Sequence, residues 1–280
     1  MLHLALIGYG KSGYYSTLCE YIEREECNQA TNPRSGESES KESTEITSEY
    51  ILSLSKSEKL EMISNGENLD VLINDSDWAI RKAVAGKGYG LDKLVDDENK
   101  NVRLAVARQG YSLDKLVNDK SELIRITVAR QGYGLDKLVN DESWTVRREV
   151  AMQGYGLDKL INDENWLVRA AVVEQRYCLN KLVDDKDSEV RIAVVKQGYG
   201  LDKLINDKDW TVRRAVARCG YGLDKLINDE EPYVRAEVAK KGYGLDKLAN
   251  DKDWLVRRTV ALCTAKNTES FTISLRKDRV

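Results

Sequence analysis

The sequence predicts an all-α protein, an α-solenoid of stacked short two-helix repeats, on three observations. An arginine recurs every 22 residues without insertion, at Arg81, Arg103, Arg125, Arg147, Arg169, Arg191, Arg213, Arg235 and Arg257. An aspartate stands six residues before each one, from Asp75 to Asp251. Each interval carries two helical signals joined by a G-Y-G-like link. A fixed period of roughly 20 to 50 residues marks a solenoid, whose units stack on their neighbours and have no separate core.

The residues that open the repeats, Asp77, Asn99, Ser121, Ser143, Asn165, Asp187, Asp209, Glu231 and Asp253, are nearly all of types that cap a helix. The next column holds tryptophan in five copies and Pro232 in one, and proline suits the first helical position. A first helix is therefore predicted from Trp78 to Lys87, ending at Gly88, with equivalents along the chain. A shorter second helix, α or 3₁₀, follows over L-D-K-L-[IV]-N. Ile80, Val84, Leu91, Leu94 and Val95 are expected to face inward. Five aliphatic side chains do not offset the ordering of 22 residues, so a single repeat is not expected to fold alone. The Asp and Arg columns are predicted to form a ladder that joins adjacent repeats by charge-assisted hydrogen bonds and satisfies turn backbone groups. Ligand binding by these charges is the alternative, but a residue needed in every copy fits a joining role better.

The D-x5-R spacing followed by V-R-x-A-V-A resembles the HEAT-like repeats, most closely the leucine-rich repeat variant, over about residues 53–265. That resemblance implies a right-handed superhelix of paired short helices, although the variant's repeats are a little longer than those here. It bears on fold more than on function. Some proteins of the variant family carry a cysteine cluster for iron and sulfur ahead of the repeats. Only Cys19 and Cys27 precede the array here, so the feature does not carry over.

Along the chain, residues 1–27 form a short N-terminal segment in which Gly8, Gly10 and Gly13 have the G-x-G-x-x-G spacing. A dinucleotide-binding turn needs a whole βαβ unit around it, and the polar sequence that follows argues for an ordinary strand or loop and a helix near Tyr14–Glu25. Residues 28–52, rich in Ser, Glu and Thr, read as a polar flexible linker. Residues 53–74 are a degenerate capping repeat, with Lys59, Gly66, Leu69 and Asp70 in register with Arg81, Gly88, Leu91 and Asp92. Its lost arginine and tyrosine suit a unit facing solvent on one side. The tandem repeats occupy 75–265, the last first-helix ending near Cys263, where Thr264 replaces glycine. The tail, 266–280, leaves the pattern and is expected either to cap the last helix or to stay mobile.

The chain has 280 residues, 41% hydrophobic and 32% charged, with net charge −3 and pI about 5.6. That balance gives no overall pull toward nucleic acid or anionic membrane. No apolar run is long enough to cross a bilayer, and Leu2–Ile7 is brief and lacks a basic flank, so neither a membrane span nor a signal peptide is expected. Five scattered cysteines without a CxxC pair suit a reducing cytoplasm.

A catalytic residue should occur once, whereas the chemistry here is periodic. The single histidine, His3, lies outside the array, so no Ser-His-Asp set or histidine metal site can be assembled. No catalytic residue, cofactor or metal is expected. The tyrosine column, Tyr89 to Tyr243, is expected to pack between repeats rather than to stack bases. The tryptophan column tolerates Lys100, Glu122, Ser188 and Pro232 and so must be partly exposed, making Trp144, Trp166 and Trp210 candidate aromatic contacts.

Partner information should lie where repeats differ, in two columns four residues apart that share one helix face. They pair Lys82 with Gly86, Leu104 with Arg108, Ile126 with Arg130, Arg148 with Met152, Ala170 with Glu174, Ile192 with Lys196, Arg214 with Arg218, Ala236 with Lys240 and Arg258 with Leu262. Nine of these are basic and one acidic. The expected binding stripe is Lys82, Arg108, Arg130, Arg148, Met152, Lys196, Arg214, Arg218, Lys240 and Arg258, on a non-catalytic scaffold for a protein or acidic peptide segment. A solvated surface drifting without selection is the bland reading. A nucleic-acid binder akin to the HEAT-like DNA glycosylases is the alternative, and the sequence offers no unique acid and aromatic pair for it. Arg176, Cys178 and Asn180 replace two glycines and an aspartate, which reads as drift, or else as a bend or contact point.

Overall fold

The computed structural model describes residues 47–277, with side chains to residue 265. The N-terminal segment 1–27, its glycine motif, and residues 28–46 of the expected linker lie outside the described residues. Among the described residues every regular element is a helix. After α1 (Ser48–Ser53), each repeat but the last supplies a first helix and a four-residue second helix among the described residues. The first helices are α2 (Lys56–Asn65), α4 (Trp78–Gly86), α6 (Lys100–Arg108), α8 (Glu122–Arg130), α10 (Trp144–Met152), α12 (Trp166–Glu174), α14 (Ser188–Lys196), α16 (Trp210–Arg218), α18 (Pro232–Lys240) and α20 (Trp254–Lys277). The second helices are α3 (Leu69–Leu72), α5 (Leu91–Leu94), α7 (Leu113–Leu116), α9 (Leu135–Leu138), α11 (Leu157–Leu160), α13 (Leu179–Leu182), α15 (Leu201–Leu204), α17 (Leu223–Leu226) and α19 (Leu245–Leu248).

Consecutive first helices pack on each other, and each second helix packs on the first helix of the next repeat. Ile80, Val84, Leu94 and Val95, with their equivalents, make a continuous buried strip, and Leu91 packs at its margin. Ala85, Ala107, Ala129 and Ala151 are fully buried, small enough for successive first helices to approach closely. This is the stacked helical array that the 22-residue period requires.

The ladder has a constant geometry. Arg103 donates from Nε and Nη2 to the two oxygens of Asp119 in the next repeat, at 2.7 and 3.0 Å. Its Nη1 donates to the backbone carbonyls of Asp97 and Glu98, at 2.8 and 3.1 Å. Asp119 also accepts from the backbone N–H of Ser121, at 2.8 Å, and so fixes its own turn. The same rung recurs from Arg81–Asp97 to Arg235–Asp251. Hydrogen bonding to Asp119 raises the Arg103 guanidinium pKa further against the opposing effect of burial. Burial pushes Asp119 up, but its bonds from Arg103 and Ser121 outweigh it, so the carboxyl sits below the usual aspartate range.

Three sequence expectations need correction at the ends of the array. The capping repeat does not lose the ladder: Lys59 takes the arginine's place, its Nζ 2.7 Å from Asp75 Oδ2 and 2.6 Å from the carbonyl of Leu52. Residues 48–53, assigned mostly to the linker, form α1, capped by Thr47, with Ile51 buried in the column of Ile73 and Val95. Finally, the last first-helix does not stop near Cys263; α20 continues to Lys277. Thr264 removes the helix-ending glycine, and no glycine or proline follows it before Lys277. Arg257 consequently faces no next repeat: it donates to the carbonyls of Asp251 and Lys252 and has no carboxylate partner among the described residues.

The unusual repeat keeps its backbone. Arg176 and Cys178 hold φ of 57° and 46°, the left-handed conformation of the glycines they replace, so no bend appears there. Arg176 Nη2 donates to the carbonyl of Gln197 at 3.3 Å, one more tie between repeats.

The candidate binding face

On α4, Trp78, Lys82 and Gly86 are spaced by four and lie together, away from buried Ile80 and Val84. The tryptophan column and both variable columns therefore share one face of the first-helix layer. The two variable columns differ in depth. The outer column, with Arg108, Arg130, Glu174, Lys196, Arg218 and Lys240, is exposed. The inner column is the floor: Leu104 and Ala236 are buried, and Ile126, Arg148, Ala170, Ile192 and Arg214 are half-buried. Close stacking of the first helices covers the inner column from both sides.

Trp144 and Trp166 are each 38% exposed, and Trp210 stacks on Tyr233 of the next repeat with ring centroids 5.2 Å apart. Lys82 lies over the Trp78 ring and Arg258 over Trp254, at 6.0 and 5.9 Å from the ring centroids, within cation–π range. Met152 is half-buried between repeats. The tyrosines are less enclosed than a packing column would be, with Tyr89, Tyr155 and Tyr221 each 42% exposed and only Tyr177 half-buried.

Sequence reasoning missed a third column beside the floor. It reads Ala83, Ala105, Thr127, Glu149, Ala171, Ala193, Ala215, Glu237 and Thr259, mostly small because it faces the neighbouring helix. The two glutamates are the exceptions, and a charge in an alanine column is the signal that marks them. Glu149 forms an ion pair with Arg130, whose Nε lies 3.1 Å from its carboxylate. Glu237 Oε2 accepts from Arg214 Nε at 3.1 Å and Oε1 from Arg218 Nε at 3.3 Å, while Lys240 Nζ lies 3.5 Å from Oε2. Burial works against ionised Glu237, and the bonds from Arg218 and Arg214, with the charge of Lys240, overcome it and hold its carboxyl below the usual range.

The ten stripe residues thus fall into groups. Arg130, Arg214, Arg218 and Lys240 have carboxylate partners. No ion pair to Lys82, Arg108, Arg148, Lys196 or Arg258 is present among the described residues. Between α2, α4 and α6, Gly86 leaves open a cleft of about 410 Å³ walled by Leu60, Trp78, Lys82 and Arg108. The other prominent clefts lie in the turns and are lined by ladder residues such as Arg103 and Asp119.

Among the described residues no group of three His, Cys, Asp or Glu side chains is placed to hold a metal ion. None of their helices is long and apolar enough to cross a membrane. No protein-family model matches the chain, and no curated protein matches it. Fold and face together define a class: a tandem helical-repeat protein of the α-solenoid kind.

Proposed function

We propose that this protein is a non-catalytic repeat scaffold, related to the HEAT-like and leucine-rich-repeat-variant architectures, that binds an acidic segment of another protein along the face of Trp78, Lys82 and Gly86 and their equivalents. One observation carries the reading. The residues that vary between repeats converge on one exposed face, while the constant Asp, Arg and aliphatic columns are consumed in the buried ladder and core. The face offers what an acidic, partly apolar chain needs: tryptophans that bury area at little entropic cost, an aliphatic floor, and cations such as Arg108 and Lys196 along the outer row. The free thiols Cys178 and Cys219 suit a reducing, cytoplasmic setting.

Salt titration tests this against nucleic-acid binding. A fluorescent peptide of alternating glutamate and leucine should bind with a shallow dependence on salt, because part of its affinity is apolar. A duplex oligonucleotide should bind more weakly. Preference for the duplex, with log K falling by about 0.9 per phosphate contact for each decade of salt, would contradict the proposal.

A further inference from the structure

The glutamate of α18, Glu237, is the least expected charge on the face. Glu237 is buried in a column where five repeats have alanine, and its side chain is 7% exposed. A buried carboxylate destabilises unless it is fully paired, and this one gathers three cations, Arg214, Arg218 and Lys240. Glu149, in the same column, pairs with Arg130 alone. The difference leaves the Glu237 cluster with three positive charges against one negative, a net of two positive.

The hydrogen bonding matters as much as the sum. Each arginine donates to Glu237 through Nε only, and no hydrogen bond from the Nη groups of Arg214 or Arg218 is present among the described residues. Glu237 thereby fixes two planar guanidinium groups while leaving their outer edges to a ligand, on side chains 32% and 61% exposed. Lys240 is 51% exposed beside them. One helical turn away stands the stacked pair Trp210–Tyr233, an apolar platform next to the charges. Fixed guanidinium edges with a net charge of two match a phosphate monoester, which carries about −1.5 to −2 and accepts several charge-assisted hydrogen bonds. A single carboxylate matches half of that.

We propose that Arg214, Arg218 and Lys240, positioned by Glu237, form a subsite for the phosphate monoester of a phosphorylated protein segment lying along the face, an inference that rests on the reading of that face as a protein-binding surface. Glu237 is a positioning residue, so removing it adds net positive charge but releases both arginines. Simple electrostatics and positioning therefore predict opposite signs for Glu237→Ala.

The test is fluorescence anisotropy with one labelled acidic peptide in three forms, bearing serine, glutamate or phosphoserine at one position. The phosphoserine form should bind the wild-type chain tightest, and Glu237→Ala should weaken it about tenfold through lost preorganisation. Alanine already occupies this column in Ala83 and Ala215, so the variant should fold, with circular dichroism as the check. Unchanged or tighter binding of the phosphoserine form to Glu237→Ala would overturn the subsite. So would equal affinity for the glutamate and phosphoserine forms, or displacement of the peptide by inorganic phosphate or duplex DNA at the peptide's own concentration. Charge reversal at Arg108, Arg148 and Lys196 separates the two readings. If it leaves all three peptides bound, the extended face fails while the subsite stands; if only the phosphate preference is missing, the subsite fails while the face stands.

Discussion

Arginine meets carboxylate on both sides of the first-helix layer, and the two sides use the pair differently. In the ladder, Arg169 is 4% exposed, donates from Nε and Nη2 to Asp185, and spends Nη1 on the carbonyls of Asp163 and Glu164. On the face, Arg218 is 61% exposed and commits only Nε, to Glu237. The ladder pair saturates its donors and recurs from Arg81 to Arg235; the face pair leaves donors over, and its spacing recurs in one other place, Arg130 with Glu149. Repetition with full saturation is what holds repeats together, and irregularity with spare donors is what a partner can read.

The comparison breaks most easily in the stacking itself. Removing residues 141–151, half of a 22-residue repeat, would set a first helix against the wrong neighbour and misalign every later rung. Cooperative unfolding should be lost in circular dichroism melts. Removing 141–162 instead restores the register, so a shorter array should still melt cooperatively. Equal behaviour of the two deletions would refute the repeat as the unit of stability.

Next in size is a single rung. Arg169→Ala leaves Asp185 buried without its partner and should cost about 3 kcal/mol in urea denaturation. Arg257→Ala, whose guanidinium has no carboxylate partner among the described residues, should cost well under about 1 kcal/mol. A similar loss at both positions would mean that the arginine acts within its own repeat.

Acid should weaken the ladder. Asp97, Asp119 and Asp251 are held below the ordinary aspartate range. A carboxyl depressed on folding contributes stability above its unfolded pKa and loses it as pH falls through the folded value. The melting temperature should therefore be level from neutral pH down to about 5 and fall below about 4. A decline beginning above pH 6 would implicate other groups.

Two glycines give the smallest and most local contrast. Gly134 sits at φ +60°, where a Cβ would come 2.6 Å from Val117 Cγ2 of the preceding repeat, so Gly134→Ala should cost about 1 to 2 kcal/mol. Ser112 and Cys178 hold the same conformation, which shows that the strain is bearable. Gly86 is helical with open space around it, and Gly86→Ala should stabilise by about 0.5 to 1 kcal/mol. Opposite signs in chemical denaturation would place the first glycine on the stacking side and the second on the free side.

The sequence made the stacking side legible because identical residues at identical spacing leave one role open to them. Arg81 through Arg257 announced a joint by recurring, and the buried columns of Ile80 and Val84 followed from helical spacing. Lys59 was misread because a different residue type performs the same joint when a carboxylate waits at the right distance. The run of α20 to Lys277 departs from the period because no glycine or proline follows Thr264 to end the helix. On the face, the two variable columns were visible, but their depth was not. Burial of Leu104 and Ala236 depends on how closely neighbouring helices stack, which no single repeat encodes. Glu149 and Glu237 hid in a column that elsewhere reads as packing.

Charge reversal with a matched control tests the division between stacking and reading most directly. Arg108, Arg148 and Lys196 lie on the face, while Lys93, Lys159 and Lys181 lie on the second helices, and none of the six has an ion pair among the described residues. Changing either trio to glutamate alters charge by six units and should leave the melting temperature nearly unchanged. The acidic leucine-glutamate peptide should lose affinity by at least about tenfold on the face variant and little on the control, as measured by anisotropy at moderate salt. Loss of the peptide from the control variant with binding intact on the face variant would contradict the account and move the binding surface to the second helices.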